Sequence, residues 1–311
     1  MTLLKPLDYY CENYRLIGQM EMIKSLLSSI RPKQWTKNSF LFAGLVFAQD
    51  LFDQQKVLVA LGAFILFCLL SSSVYLVNDL VDMEKDRQHP RKRFRPLASG
   101  KLSVKLAIIT TILLLGISLP LSFYIGLAFG TVALIYFLLS LAYSFFLKNM
   151  IIIDVFVIAA GFVLRAMAGA LAIDVKISPW LYVCTVLLAL FLALSKRRHE
   201  MILLSDGAIN HRRIFEDYST PLLEEMISVV TSSTVLAYSI YTFSAENLPP
   251  NKFMMFTIPF VIYAVFRYLY LVYQRDEGGT PEELVLKDIP LIIDIFLWIV
   301  ASVAILYFFN R

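Results

Sequence analysis

The residues from which soluble catalytic centres are usually built are scarce in this chain. Only three cysteines and three histidines occur among 311 residues. Cys11, Cys68 and Cys184 are odd in number, and two of them lie inside apolar runs. That excludes a disulfide framework, a CxxC pair or a cysteine zinc pattern and leaves free apolar thiols. His89, His199 and His211 are too scattered for a histidine metal set, and no nucleophile–base arrangement accompanies them. Charged residues make up only 17% of the chain. No segment of soluble composition is long enough to fold alone, so a separate water-soluble domain is excluded. Residues 1–30 lack a basic start followed by an apolar core and a small-residue cleavage site, so no secretory signal is expected there. Low-complexity segments are absent as well.

What is abundant is apolar surface. Hydrophobic residues make up 59% of the chain and the mean hydropathy is +0.70. This composition predicts an all-α, polytopic membrane protein in the plasma (inner) membrane, with the bilayer as its first partner. A span needs roughly 20 apolar residues, and the pattern predicts about nine. Their limits are 38–51, 57–79, 103–122, 125–147, 151–173, 178–196, 222–244, 253–273 and 289–309. The first is short, and the third and fourth nearly merge around Pro120. Ahead of them, Ile17, Met20, Ile23, Leu27 and Ile30 recur at helical spacing, which predicts an interfacial helix within residues 1–30. Residues 31–311 then form a single transmembrane domain.

Lys and Arg test that count. With the N-terminus in the cytoplasm, most of the 28 basic residues fall on the cytoplasmic side. Lys56, Lys176, Lys252 and Arg311 fall on the other side, and Arg165 and Arg267 lie within spans. The split obeys the positive-inside rule. Spans 2–3 and 6–7 each enclose a long charged cytoplasmic loop, which predicts a central cavity facing the cytoplasm.

The chemistry concentrates where the second span emerges. Asn78-Asp79-Leu80-Val81-Asp82-Met83-Glu84-Lys85-Asp86 sets Asn78, Asp79, Asp82 and Asp86 on one face of a continuing helix. Like charges so stacked repel unless something positive lies between them. Oxygen-only ligands favour a hard cation, Mg²⁺ above all, which commonly shares its shell with substrate phosphates. Behind this stripe come His89-Pro90-Arg91-Lys92-Arg93-Phe94-Arg95-Pro96. Arg forks suit phosphate oxygens, so Lys92, Arg93 and Arg95 are candidate phosphate ligands. The plainer alternative is a charged helix end with a solvated basic patch on anionic lipid.

Asn78-Asp79-x-x-Asp82-x-x-x-Asp86 resembles the first aspartate motif of the UbiA-type intramembrane prenyltransferases. The longer run from Tyr75-Leu76-Val77-Asn78-Asp79 through Lys92-Arg93-Phe94-Arg95-Pro96 to Ala98-Ser99-Gly100 is similar to the polyprenyl-phosphate (decaprenyl-phosphate) phosphoribosyltransferase branch. The resemblance extends from Arg31-Pro32-Lys33-Gln34-Trp35-Thr36-Lys37-Asn38 to about Asp288. It implies Mg²⁺ on Asp79, Asp82 and Asp86, and donor contacts from Lys37 and Asn38. Tyr143 and Lys148 match the superfamily's Tyr followed five residues later by Lys, which contacts the donor phosphates. Family members that prenylate rings carry a second acidic motif after the sixth span. Here that position reads Lys196-Arg197-Arg198-His199-Glu200, with one acid and three strong or titratable bases adjoining Lys196. The departure favours the phosphoribosyltransferase branch, whose loop is basic and ends near a Tyr such as Tyr218; Lys196, Arg197, Glu200 and Tyr218 are therefore candidate substrate ligands.

Two charged residues inside the fifth span join the set. Arg165 shares a helix face with Asp154 and Gly161, yet eleven residues rise roughly 16 Å, so Asp154 and Arg165 cannot pair directly. Arg165 either binds a phosphate or metal-site group, or pairs structurally with another helix. Asp154 is expected to line the cavity. Arg267, beside tyrosines, is expected to snorkel. The implied reaction moves 5-phosphoribose from 5-phosphoribosyl 1-diphosphate to a polyprenyl phosphate, giving a lipid-linked precursor of cell-wall arabinose. The alternatives are prenyl transfer from a prenyl diphosphate to an aromatic acceptor, and a transporter using Arg165 and Asp154 in a polar path. Nucleic acid is not an expected partner; a homo-oligomer is compatible with the sequence.

Overall fold

The computed structural model describes residues 20–90, 92–176, 178–205, 218–246, 248–275, 284–285 and 287–309. Arg212, Arg213 and Asp217 of the second charged loop, together with residues 1–19, lie outside them. The described residues form helices joined by turns, without strands. Helix α1 covers 20–29; a 3-10 helix, Pro32–Phe42, leads into α2, Ala43–Phe47. There follow α3 (Gln54–Val81), α4 (Met83–Gln88), α5 (Val104–Ile125), α6 (Leu127–Phe145) and α7 (Ile153–Ala172). The rest are α8 (Pro179–Ser205), α9 (Thr220–Ser244), α10 (Ile258–Gln274) and α11 (Ile289–Phe308). Starts are marked by side-chain caps: Asp53 accepts from the amides of Gln55 and Lys56, Ser103 from Leu106, Ser219 from Leu222 and Asp288 from Leu291. The break between the third and fourth runs falls at Gly126, and Pro120 stays inside α5.

Eight helices among the described residues are long and apolar enough to cross a membrane. The stretch expected at 38–51 is not one of them. It is nevertheless laid along the whole of α3. Near one end Arg31 pairs with Asp79, then Trp35 Nε1 donates to Ser72 Oγ (3.1 Å) and Asn38 Nδ2 to Ser71 Oγ (3.2 Å). At the other end Asp50 accepts from Lys56 Nζ (2.7 Å). A 3-10 helix rises faster per residue than an α-helix, so 3-10 plus α2 extends about 30 Å, the thickness of a hydrocarbon core. By length this segment can add a ninth crossing to the eight helical ones found among the described residues, where about nine apolar spans were expected.

The outward faces of α3, α5 and α11 expose Leu58, Ile65, Ile112, Leu113, Ile293 and Phe296. Such apolar cover would be untenable in water and is ordinary against lipid. Inside, α7 is shared by two core clusters. Val155, Ala159 and Phe162 pack with α8–α11, while Ala168 packs with Leu41, Leu66, Phe67, Leu70 and Phe129. Tyr307 closes the ring: its hydroxyl donates to Val46 O (3.3 Å) and accepts from Leu51 N (3.0 Å). This is a single multi-pass helical membrane bundle around a central cavity.

Candidate active site

The carboxylate stripe forms as the spacing predicts. α3 ends at Val81, but Asp82 N donates to Asn78 O (3.0 Å) and Asp86 N to Asp82 O (2.8 Å), so helical bonding carries across into α4. All three carboxylates are buried. Their repulsion is quenched by three bases from elsewhere in the chain. Arg31 pairs with Asp79 Oδ1. Arg95 Nη1 donates both to Asp79 Oδ1 (3.1 Å) and to Asp86 Oδ2 (2.6 Å). Lys148 Nζ donates to Asp82 Oδ1 (2.6 Å), and both partners are buried. Arg31 reaches Asp79 from a left-handed backbone (φ 52°) just ahead of Pro32, with its guanidinium 5.1 Å from the Tyr75 ring centroid. Non-glycine residues held in that region are uncommon and gather at functional positions.

A second network surrounds Asp154, which is fully buried. Arg197 Nε donates to Asp154 Oδ2 (2.6 Å) and Nη2 to Tyr143 OH (3.2 Å), while Nη1 pairs with Glu200. Tyr218 OH donates to Asp154 Oδ1 (3.0 Å) and accepts from Ile152 N (2.8 Å). Burial pushes the Tyr218 phenol up to about 12, so it remains a neutral donor across the physiological range. Tyr143, Asp154, Arg197, Glu200 and Tyr218 are thus one connected set, drawn from α6, α7, α8 and the loop that enters α9.

Arg165 stands apart from both. Its Nε donates to Asn38 Oδ1 (2.8 Å), Nη1 to Gly161 O (2.8 Å) and Nη2 to Tyr136 OH (2.7 Å). Its guanidinium also lies 4.7 Å from the Tyr136 ring centroid and 5.5 Å from that of Phe162. The expected structural alternative, an ion pair with another helix, is not made among the described residues. A charge within a span costs about 2.5–3.5 kcal/mol on insertion scales. Ring contacts return roughly 0.5–2 kcal/mol of it.

These groups border one cavity of about 1200 Å³. Lys37, Asn78, Lys92, Arg95, Tyr143, Arg165, Lys196, Arg197 and Glu200 line it, as does Arg31. Asp79, Asp82, Asp86, Lys148, Asp154 and Tyr218 are not part of that lining; Asp79 and Asp86 bond to Arg95, and Asp154 to Arg197, which are. Three placements, those of Asn38, Arg93 and Asp154, correct the sequence reading. Asn38 is completely buried and touches Cys68, Ser71 and Arg165, so it braces Arg165 instead of facing a substrate. Arg93 is exposed over the Phe94 ring and does not join the wall. Asp154 bonds to Arg197 and Tyr218 instead of lining the cavity, and Arg267 is clamped to Asp288 (2.8 Å). Asp294 was missed. It lines the cavity from α11, is buried, and its Oδ2 has no partner among the described residues. An acid inside the run 289–309 was the available signal.

A divalent ion suits the donor chemistry, since every candidate ligand is a carboxylate oxygen. As placed, no three acidic, His or Cys side chains among the described residues are gathered to hold one. The bases intervene. Arg95 Nη1 already holds positive charge between oxygens of Asp79 and Asp86, and an ion there would require Arg95 and Arg31 to move onto other anions.

The model of the UbiA prenyltransferase family matches residues 38–298. The chain belongs to the UbiA prenyltransferase family. Among its UbiA-family relatives, the decaprenyl-phosphate phosphoribosyltransferase of Corynebacterium glutamicum is 34% identical over 289 residues, covering 91% of this chain and 86% of that one. The protein of that name from Mycolicibacterium smegmatis is 32% identical over 302 residues, covering 92% and 94%. A solved UbiA homolog from Archaeoglobus fulgidus, bound to GPP and Mg²⁺, superposes with a TM-score of 0.67 at 20% identity, covering 91% of this chain and 99% of that one. The last likeness gives the UbiA fold.

Proposed function

We propose that this protein is a polyprenyl-phosphate phosphoribosyltransferase. It moves 5-phosphoribose from 5-phosphoribosyl 1-diphosphate to a polyprenyl (decaprenyl-like) phosphate, releasing diphosphate. The observation that carries the reading is the base-rich cavity wall. Arg31, Lys92 and Arg95 line it beside the aspartate stripe, and Lys196 and Arg197 line it where a second acidic motif would serve a prenyl donor. Relatives bearing that activity's name over about nine-tenths of the chain support it.

Asp79, Asp82 and Asp86 would hold Mg²⁺, which would neutralise a diphosphate and improve it as a leaving group. Arg31 and Arg95, released from those acids, turn to the phosphate oxygens, and Lys92 adds a further positive charge. Lys148 stays close enough to Asp82 to position it. Arg197 is fixed at the cavity wall by Asp154, Tyr143 and Glu200 and faces the second phosphate-bearing substrate as a positioned hydrogen-bonding group. The C1–O bond to diphosphate breaks as C1 develops oxocarbenium character. An oxygen of the lipid phosphate forms the new bond to C1 from the opposite face. That oxygen is already anionic, so no general base is needed. Catalysis rests on positioning and charge stabilisation. The apolar walls, with Phe40, Phe162, Phe191 and Trp298, keep competing water out and accept the prenyl chain. We place the basic end in the cytoplasm, where the sugar donor is made.

The test is incubation of membranes containing the protein with radiolabelled phosphoribosyl diphosphate, Mg²⁺ and polyprenyl phosphate. Label should pass into the organic phase, and chelation of Mg²⁺ should stop it. Label transferred only from a prenyl diphosphate to an aromatic acid would replace this reading with ring prenylation.

A further inference from the structure

Among the described residues, Arg165 is the one buried base with no carboxylate partner. Lys148 has Asp82, Arg197 has Asp154 and Arg198 has Glu224. All three acceptors of Arg165 are neutral, and they take three of its five N–H groups. One N–H remains on each of Nη1 and Nη2, the terminal pair with which a guanidinium meets two oxygens of one phosphate. The side chain lines the cavity beside Gly161, Tyr136 and Phe162. A Cβ on Gly161 would only reach van der Waals contact with Nη1, at 3.4 Å, so the wall beside the guanidinium is uncrowded.

The position is well separated from the aspartate stripe. Through Asn38, Arg165 is tied to the level of Ser71 on α3. Ser71 lies eight residues below Asp79, a drop of roughly 12 Å. One ligand can reach both places only if it carries two separated anions.

We propose that Arg165 binds a phosphate monoester deep in the cavity, at a subsite distinct from the one that holds the diphosphate. The proposal rests on the phosphoribosyl-transfer reading. There both substrates carry such a group, the 5-phosphate of the donor and the phosphate of the lipid. A prenyl diphosphate and an aromatic ring would bring none.

The experiment uses the purified full chain with Arg165→Gln and Arg165→Lys. Thermal protection is measured with ribose 5-phosphate and, separately, with Mg²⁺ and diphosphate. KM is measured for each substrate in turn. Arg165→Gln should lose protection by ribose 5-phosphate or raise one KM at least tenfold, while keeping protection by Mg²⁺ and diphosphate. A raised donor KM assigns the 5-phosphate; a raised lipid KM assigns the lipid phosphate. Arg165→Lys keeps the charge without the fork and should fall between the two, and it serves alone if the Gln variant does not fold. Unchanged KM values with a lowered Tm would make Arg165 a brace only and overturn the proposal. Equal loss of both protections would overturn it too, as a general distortion. A wild-type protein that ignores phosphoribosyl diphosphate, yet is protected by inorganic phosphate through Arg165, would sink the phosphoribosyl reading and keep the anion subsite.

Discussion

Lys148 and Asp82 show how far one residue's role depends on another outside its own helix. Both are buried, and they meet at 2.6 Å. Removing one charge leaves the other unpaired, which costs about 3–5 kcal/mol. Asp82→Asn should therefore lower Tm in detergent and reduce turnover by about 10²-fold or more, the scale of losing one charge-stabilising group. The pair Asp82→Asn with Lys148→Met should recover most of the stability and none of the activity. Recovery of both would reduce Asp82 to a brace. The acids themselves were legible in the sequence, because helical spacing fixes which side chains share a face. Their partners were not. Arg31 and Lys148 lie 48 and 66 residues from the acids they hold, and spacing along one helix says nothing of what stands opposite. Asn38 was read as a ligand for the same reason: its motif was visible, but its neighbours Cys68 and Arg165 were not.

At the scale of elements, the first crossing departs most from expectation. Its apolar run is too short for an α-helix to span, and runs of 3-10 longer than three or four residues are uncommon. Close approach to α7 accounts for the local form. A Cβ on Gly169 would sit 1.9 Å from Leu41 O, and one on Gly44 would sit 2.9 Å from Ala170 Cα. Backbone therefore lies against backbone, and the same contact lets Asn38 reach Arg165 on α7. Propensity and periodicity carry no term for such an approach, so the crossing could be read only as a short span. Gly169→Ala should cost about 1–3 kcal/mol or more through overpacking, read as a lower Tm, with KM rising as Arg165 loses its brace. A wild-type melting profile in that variant would mean the two segments are held otherwise. By contrast α3, α9 and α11 fall within a few residues of their expected limits, since long apolar runs ended by Asp, Ser or Pro are strong local signals.

Across the whole molecule, charge segregation and crossing number constrain each other. With nine crossings, Lys33 and Lys101 lie at the basic end, while Phe52 and Phe309 lie at the far end beside Lys56 and Lys252. If the 3-10 segment turned back instead of crossing, Lys33 and Phe52 would share a side, and the basic residues on either side of the segment would part company. The contacts from Arg31–Asp79 to Asp50–Lys56 run the length of α3, which supports a full crossing. Single cysteines at exposed Lys33, Lys101 and Phe52, in a chain with Cys11, Cys68 and Cys184 replaced, should separate cleanly. An impermeant maleimide should label Lys33→Cys and Lys101→Cys only in inverted vesicles, and Phe52→Cys only in right-side-out ones. Lys33→Cys and Phe52→Cys reacting from the same face would remove the first crossing. Lys101→Cys reacting from outside would place the donor site away from the cytosol, where a soluble sugar diphosphate could not reach the acids at the mouth of α3.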